Sequence, residues 1–215
     1  MHLKKHSDID FGRINPVIFL RHAQSEGQID PTLYRTKGDV NLDLTAEGRT
    51  QAESIGKYLA DAFHKAGWEA PMIISGESLR AQATANGVAK AFNDDGFMID
   101  ARVNKQSFGK FDGMLTSAEK LEKLPELYKA YKEQEEQLGK LAVTPPEGES
   151  ILDVIERVRG FLIDVAETKT PIIAVTHGLQ MLCAEKITED RSDEWLLEAQ
   201  DSVKNVEALI FYPGN

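Results

Sequence analysis

The chain predicts an α/β fold: a three-layer sandwich with a mostly parallel central sheet, helices on both faces and a helical insertion. Three observations carry that expectation. Short apolar runs at 16–20, 71–75, 171–175 and 206–212 alternate with longer stretches of helical periodicity, the pattern of strands joined by crossover helices. Polar, chemistry-bearing residues follow directly on three of those runs. The length of 215 residues fits a single domain, 1–215, with the insertion at about 114–147.

Taken in order, Val17-Ile18-Phe19-Leu20 is an apolar run of strand length that delivers Arg21-His22-Ala23-Gln24-Ser25 at its C-terminal end. Residues 28–43, with Pro31, Gly38 and Asp39, read as a long loop. Thr45 starts a helix with Glu47 in its first turn. Ala52, Ile55, Leu59, Ala62 and Phe63 hold helical spacing to about His64, an exposed residue near the C-terminus. Met72-Ile73-Ile74-Ser75 is the next strand, and Ser78 to Phe92 the next helix, carrying Arg80. Residues 97–101 are a fifth strand candidate. From Thr116 to Lys140 the chain is rich in Lys and Glu, with Leu121, Leu124, Leu127, Tyr128, Tyr131 and Leu138 recurring. This predicts one or two amphipathic helices interrupted near Pro125, their charges forming a solvated face. Ser150 to Ala166 is a helix with an apolar stripe from Ile151 to Val165. Ile172-Ile173-Ala174-Val175 ends in Thr176-His177-Gly178, and a buried helix follows with Cys183 as a small core residue.

Bulk properties narrow the function. A net charge of −10 argues against a nucleic-acid surface, which needs a basic face, and disfavours anionic membranes. No apolar run approaches the roughly 18–20 residues of a membrane span. Met1 to Asp8 lacks an apolar core after its basic residues and does not read as a secretory signal; His2 and His6 read as exposed residues of a flexible end. One cysteine excludes an intrachain disulfide and fits a reducing compartment, hence a cytoplasmic location. No Cys/His cluster has metal spacing, so neither a metal nor another cofactor is expected.

Open α/β sheets place ligands just outside the carboxyl ends of their strands. If the three runs are neighbours, Arg21, His22, Arg80 and His177 converge there. Guanidinium forks suit a phosphoryl dianion, and imidazole can serve as nucleophile or proton carrier. Backbone N–H groups at the start of the helix after His177-Gly178 add an anion site, and Gly178 permits close backbone approach.

At this point the sequence resembles the histidine phosphatase superfamily, the phosphoglycerate mutase-like branch in particular. Arg21-His22-Ala23-Gln24-Ser25 matches its Arg-His-Gly motif, and Ser75-Gly76-Glu77-Ser78-Leu79-Arg80-Ala81-Gln82-Ala83-Thr84-Ala85 its second motif. Leu44-Thr45-Ala46-Glu47-Gly48-Arg49-Thr50-Gln51-Ala52, Phe108-Gly109-Lys110-Phe111-Asp112-Gly113, Pro146-Glu147-Gly148-Glu149-Ser150 and His177-Gly178 follow in the expected order. The resemblance implies that His22 attacks phosphorus and becomes phosphohistidine, which water hydrolyses. Arg21, Arg80 and a protonated His177 would neutralise the equatorial oxygens without a metal. Gln28 stands where the family often has a phosphate-touching Asn. The insertion commonly covers the site in this family, so specificity is expected from 28–43 and 114–147. The implied partner is a small phosphorylated metabolite or phosphoprotein; no oligomeric state follows.

Two further departures from the family pattern stand at positions 23 and 105. Ala23 replaces a Gly. Lys105 stands four residues before Gly109, where the family normally carries the Glu that protonates the leaving oxygen. With an ordinary pKa of about 10.4, a lysine is a poor donor at neutral pH. Three outcomes stay open: Glu77 or Glu149 serves as the acid; Lys105 stabilises the leaving oxyanion as a cation; or the site binds phosphate and scarcely turns over. A phosphatase is therefore expected, with a regulatory phosphate-binding module as the alternative and a phosphoglycerate mutase as the third reading.

Overall fold

The computed structural model describes residues 3–4, 15–94, 96–200 and 202–212; His2 and His6 lie outside them. The strands are β1 (Leu3–Lys4), β2 (Val17–Arg21), β3 (Met72–Ser75), β4 (Met98–Ile99), β5 (Ile172–Thr176) and β6 (Ala208–Phe211), in the order β1-β6-β2-β5-β3-β4. β2, β5, β3 and β4 run parallel, and β6 is antiparallel to β2. The mostly parallel sheet expected from the alternation of runs is present. β1 was not foreseen.

Register places the site. Arg21 pairs with Thr176 across β2 and β5, and Ser75 pairs with Val175 across β3 and β5. Three parallel strands therefore end level with one another. The residues that follow them, His22, His177 and the Gly76–Arg80 turn, emerge at one edge of the sheet.

The larger helices are α3 (Ala46–Ala66), α4 (Leu79–Ala91), α7 (Ile151–Ala166) and α8 (Gly178–Glu189). Successive strand side chains face opposite ways. Ile18 and Leu20 bury against Ile55, Leu59, Ala85 and Val88 of α3 and α4. Val17 and Phe19 bury against Val154, Val158 and Phe161 of α7 and against Met181 and Cys183 of α8. Phe19 meets Phe161 and Phe211 edge-on at 5.6 Å, the favoured aromatic geometry. Burial of several such side chains, at roughly 1.5–3 kcal/mol each, holds each layer to the sheet. A Cβ on Gly56 would sit 2.8 Å from the Gly87 carbonyl oxygen, so the α3–α4 crossing depends on glycine. Cys183 is core: burial pushes its thiol up to about 12, which removes thiolate chemistry near neutral pH.

Capping chemistry sets the helix starts. The Thr45 hydroxyl accepts from the Gly48 N–H, and Ser150 forms a reciprocal capping box with Asp153. The insertion forms α5 (Ser117–Lys123) and α6 (Pro125–Leu138), broken at Pro125 because proline is tolerated only at a helix start. Leu121, Leu127 and Leu138 are exposed, and α6 reaches the body through Tyr128 and Tyr131 on Phe111. The stretch 28–43 is more ordered than a long loop. It contains the second half of α1 (Glu26–Ile29), then α2 (Leu33–Thr36) and a 3-10 turn at Asp39–Asn41. Asp30 caps Thr32 at 3.0 Å, a local bond that composition alone conceals. Among the described residues no helix is long and apolar enough to cross a membrane.

Candidate active site

His22 follows β2 and is anchored from both backbone sides. Its N–H donates to the Thr176 carbonyl at 3.0 Å, and its carbonyl accepts from Asn205 Nδ2 at 2.9 Å. Its Nδ1 lies 2.8 Å from the Ala23 carbonyl. A carbonyl can only accept, so Nδ1 carries the proton and Nε2 presents a lone pair. The imidazole is buried and neutral: burial first, then the charges of Arg80 and Arg21, lower its pKa to about 3. That tautomer is the one in-line attack on phosphorus requires.

His177, the N-cap of α8, lies with its ring centroid 5.0 Å from that of His22. Its Nε2 is 3.3 Å from Ser78 Oγ. The expected protonated His177 is not what its surroundings favour. Burial, then His22, Arg80, Lys105 and Arg21, hold it well below 6.5. Burial and three cationic neighbours together favour the neutral ring. Gly178 begins α8, and an added Cβ there would meet only Val203 at 3.6 Å. The protein's own packing does not demand glycine at this position.

Arg80 is almost fully buried in the first turn of α4. Its carbonyl accepts from Thr84 Oγ1 at 2.7 Å, and Thr84 accepts from the Ala23 N–H at 3.0 Å, tying the α4 start to the residue after His22. Arg21 donates to the Val203 carbonyl. The structure thus brings His22, His177, Arg80 and Arg21 to one end of the sheet. Gln28 takes a bracing position. Its Oε1 accepts from the Ser25 N–H at 3.0 Å, and its amide pairs with the Asn205 amide at 3.0 Å in both directions. It is joined to His22 through Asn205.

Sequence reasoning missed Asp39 and Asn205. Asp39, on the 3-10 turn, takes two bonds from the Arg80 guanidinium, one to its carbonyl and one to Oδ2 at 3.0 Å. Its Oδ1 lies 2.8 Å from Lys105 Nζ. Burial alone would raise this carboxyl, but Lys105 and Arg80 outweigh it and hold it below the usual range. Only its place in the stretch 28–43, beside the first motif, hinted at a role.

The two acid candidates, Glu149 and Glu77, both make contacts within the protein. Glu149 is gripped by Arg157, Nε to Oε1 at 2.8 Å, and accepts from the Ser107 N–H at 3.0 Å. Glu77 is exposed and accepts from Asn104 Nδ2 at 2.8 Å. Both hold the 104–109 segment in place. Gly109 and Gly148 let that segment dock on 146–149. A Cβ on Gly109, at φ +55°, would sit 2.1 Å from the Pro146 oxygen, and one on Gly148 2.7 Å from the Ser107 oxygen. Two cavities of about 270 Å³ meet at Lys105 and Phe108; one contains Arg21 and Gly178, the other Asp39 and Tyr34.

Residues 17–200 match the family model of the histidine phosphatase superfamily, branch 1. Phosphoglycerate mutase-like protein AT74H of Arabidopsis thaliana is 29% identical over 188 residues, covering 76% of this chain and 62% of that protein. A second Arabidopsis thaliana protein, AT74, also described as phosphoglycerate mutase-like, is 29% identical over 155 residues, 68% of this chain and 45% of its own. The chain thus spans about half to three fifths of these relatives. Alpha-ribazole phosphatase from Shigella flexneri superposes with a TM-score of 0.67 at 21% identity, over 85% of this chain and 84% of that one. A mycobacterial glucosyl-3-phosphoglycerate phosphatase gives 0.62 at 21%, over 91% and 89%. At such identities the structural likeness speaks for the fold, while the matched span, from the strand before His22 to beyond His177, makes this chain a member of the histidine phosphatase superfamily, branch 1.

Proposed function

We propose that the protein is a metal-independent phosphatase that hydrolyses a phosphomonoester through a phosphohistidine on His22. One observation carries the reading. A buried, neutral imidazole with its proton on Nδ1 and its lone pair on Nε2 lies beside a second imidazole, with the two arginines acting electrostatically on both rings and Lys105 on His177. Phosphoryl transfer needs alignment and neutralisation of oxygen charge more than elaborate covalent chemistry.

In the reading, Nε2 of His22 attacks in line, a P–N bond forms, and the P–O bond to the leaving group breaks. Arg21 and Arg80 compensate the equatorial oxygens. Asp39 uses one N–H from each of two Arg80 amino groups, leaving part of the five-donor fork for the anion. The entering dianion raises the proton affinity of His177, which then donates to an oxygen. Water cleaves the P–N bond, yielding inorganic phosphate. A small phosphorylated metabolite or phosphoprotein in the cytoplasm is the substrate implied.

The test is to incubate wild type and His22→Ala with an aryl phosphate, quench, and look for acid-labile phosphate on residue 22. Turnover by wild type only, with label on His22, is expected; equal turnover by both proteins ends the reading. The Lys105–Asp39 pair, standing where the family has an acid, favours a second reading, a phosphate-binding module with feeble turnover. Lys105→Glu distinguishes the two: a weakened enzyme gains turnover of alkyl phosphates, whereas a pure binding module gains none. A phosphoglycerate mutase, which must also reprotonate its substrate, is disfavoured by the same absence.

A further inference from the structure

We infer that the substrate is an ester of a phenol: a phosphomonoester whose leaving group is one neutral aromatic ring, departing as an oxyanion that Lys105 stabilises. The inference deepens the proposed phosphatase reading and rests on it.

Three features converge. First, Lys105 borders both cavities. The cavity with Arg21 and Gly178 is lined by the residues next in sequence to His22 and His177, so the other is assigned to the alcohol half of a bound ester. Second, half of the residues that line that other cavity are aromatic or aliphatic. Tyr34, Phe108 and Phe111 line it with Met114 and Leu115 from the start of the insertion, and Phe111 is backed edge-on by Tyr128 and Tyr131. Rings favour offset or edge-on contact with other rings. A volume of about 270 Å³, below the ~300 Å³ where ordinary ligand pockets begin, suits one ring. Third, the charges in this cavity balance. Lys105 and Lys120 face Asp39 and Asp112, so nothing in it selects a second phosphate or carboxylate on the substrate.

The chemistry of the leaving group follows from Lys105. Its ammonium has three N–H groups; one is given to Asp39 at 2.8 Å, and the nitrogen stands 5.1 Å from the Tyr34 ring centroid. It supplies positive charge where the two cavities meet. When the P–O bond breaks, its electron pair stays on the aryl oxygen, whose ordinary pKa is that of a phenol, about 10. That aryloxide leaves without prior protonation, whereas an alkoxide needs a proton during departure. Water then attacks the phosphohistidine, one of its protons is taken by the aryloxide through solvent, and phenol and inorganic phosphate are the products.

Two measurements test this on the full chain. In the first, a series of substituted phenyl phosphates is compared with glycerol and sugar phosphates. The aryl esters are expected to be cleaved about 10²–10⁴-fold faster in kcat/KM, the range a general acid contributes. Leu115→Glu, at the exposed rim, should raise KM for phenyl phosphate about tenfold. Equal kcat/KM for aryl and alkyl esters, with label still forming on His22, overturns the substrate class and spares the phosphatase reading. In the second, benzylphosphonate and methylphosphonate are titrated calorimetrically into His22→Ala, which removes turnover from the comparison. The aromatic ligand is expected to bind at least tenfold tighter, with the gain lost in Tyr34→Ala and in Leu115→Glu. Equal binding overturns the inference whether or not the protein is a phosphatase.

Discussion

Asp39→Asn is the perturbation that the site's electrostatics address most directly. The carboxylate lies 3.0 Å from Arg80 and 2.8 Å from Lys105, so the guanidinium proposed to bind phosphate already holds an internal anion. A phosphoryl oxygen on the far side of that guanidinium would lie about 6 Å from Asp39, two contacts of ~3 Å in series. Between one negative charge and a dianion at that separation, Coulomb's law gives about 1.4 kcal/mol of repulsion in bulk water and about 5.5 at an effective dielectric of 20. Water reaching the pocket keeps the effect near the lower figure. Removing the charge should therefore tighten inorganic phosphate binding about tenfold. Folding should respond in the opposite direction, because one carboxylate bonded to two cations is lost, at a cost of about 1–3 kcal/mol. The assay pairs calorimetric titration of phosphate with urea unfolding of the same samples. Opposite signs, weaker folding and tighter phosphate, are the expected signature. Unchanged or weaker phosphate binding by a folded Asp39→Asn protein refutes the competition argument and makes Asp39 a positioning residue for Arg80.

Other consequences are equally concrete. His22 titrates near 6.5 unfolded but at about 3 in the fold; its contribution is complete above pH 6.5 and is lost as pH falls, at about 1.4 kcal/mol per unit well below 6.5. His177 shifts in the same direction, so urea midpoints should drop between pH 7 and 5, and His22→Gln should shallow that slope. Gly109→Ala forces a side chain into a left-handed backbone against the Pro146 carbonyl. It should cost about 2–3 kcal/mol in thermal unfolding and lower turnover by loosening the 104–109 segment. Glu149→Gln weakens the Arg157 and Ser107 contacts, so unfolding should weaken by about 1–3 kcal/mol while the pH profile of aryl phosphate turnover is expected to keep its shape; a lost limb of that profile would make this carboxyl the acid.

By itself the sequence determined the features that depend on near neighbours. Apolar runs placed β2, β3, β5 and β6, periodicity placed α3, α4 and α7, and hydroxyl caps at Thr45 and Ser150 marked where helices begin. Pro125 divided the insertion because a missing N–H acts on its own turn. The identities of Arg21, His22, Arg80 and His177 were legible too, since each lies at or soon after the end of an apolar run. Tertiary structure alone decided the electrostatics among them. Asp39 reaches Arg80 across 41 residues and Lys105 across 66, and Asn205 reaches His22 across 183; no local pattern encodes such pairings. The pairing of Glu149 with Arg157 also came from the way the fold sets the start of α7 against that carboxylate. The protonation of His177 likewise depends on burial and on three cations brought from separate segments, because desolvation and Coulomb energy follow distance in space rather than distance along the chain.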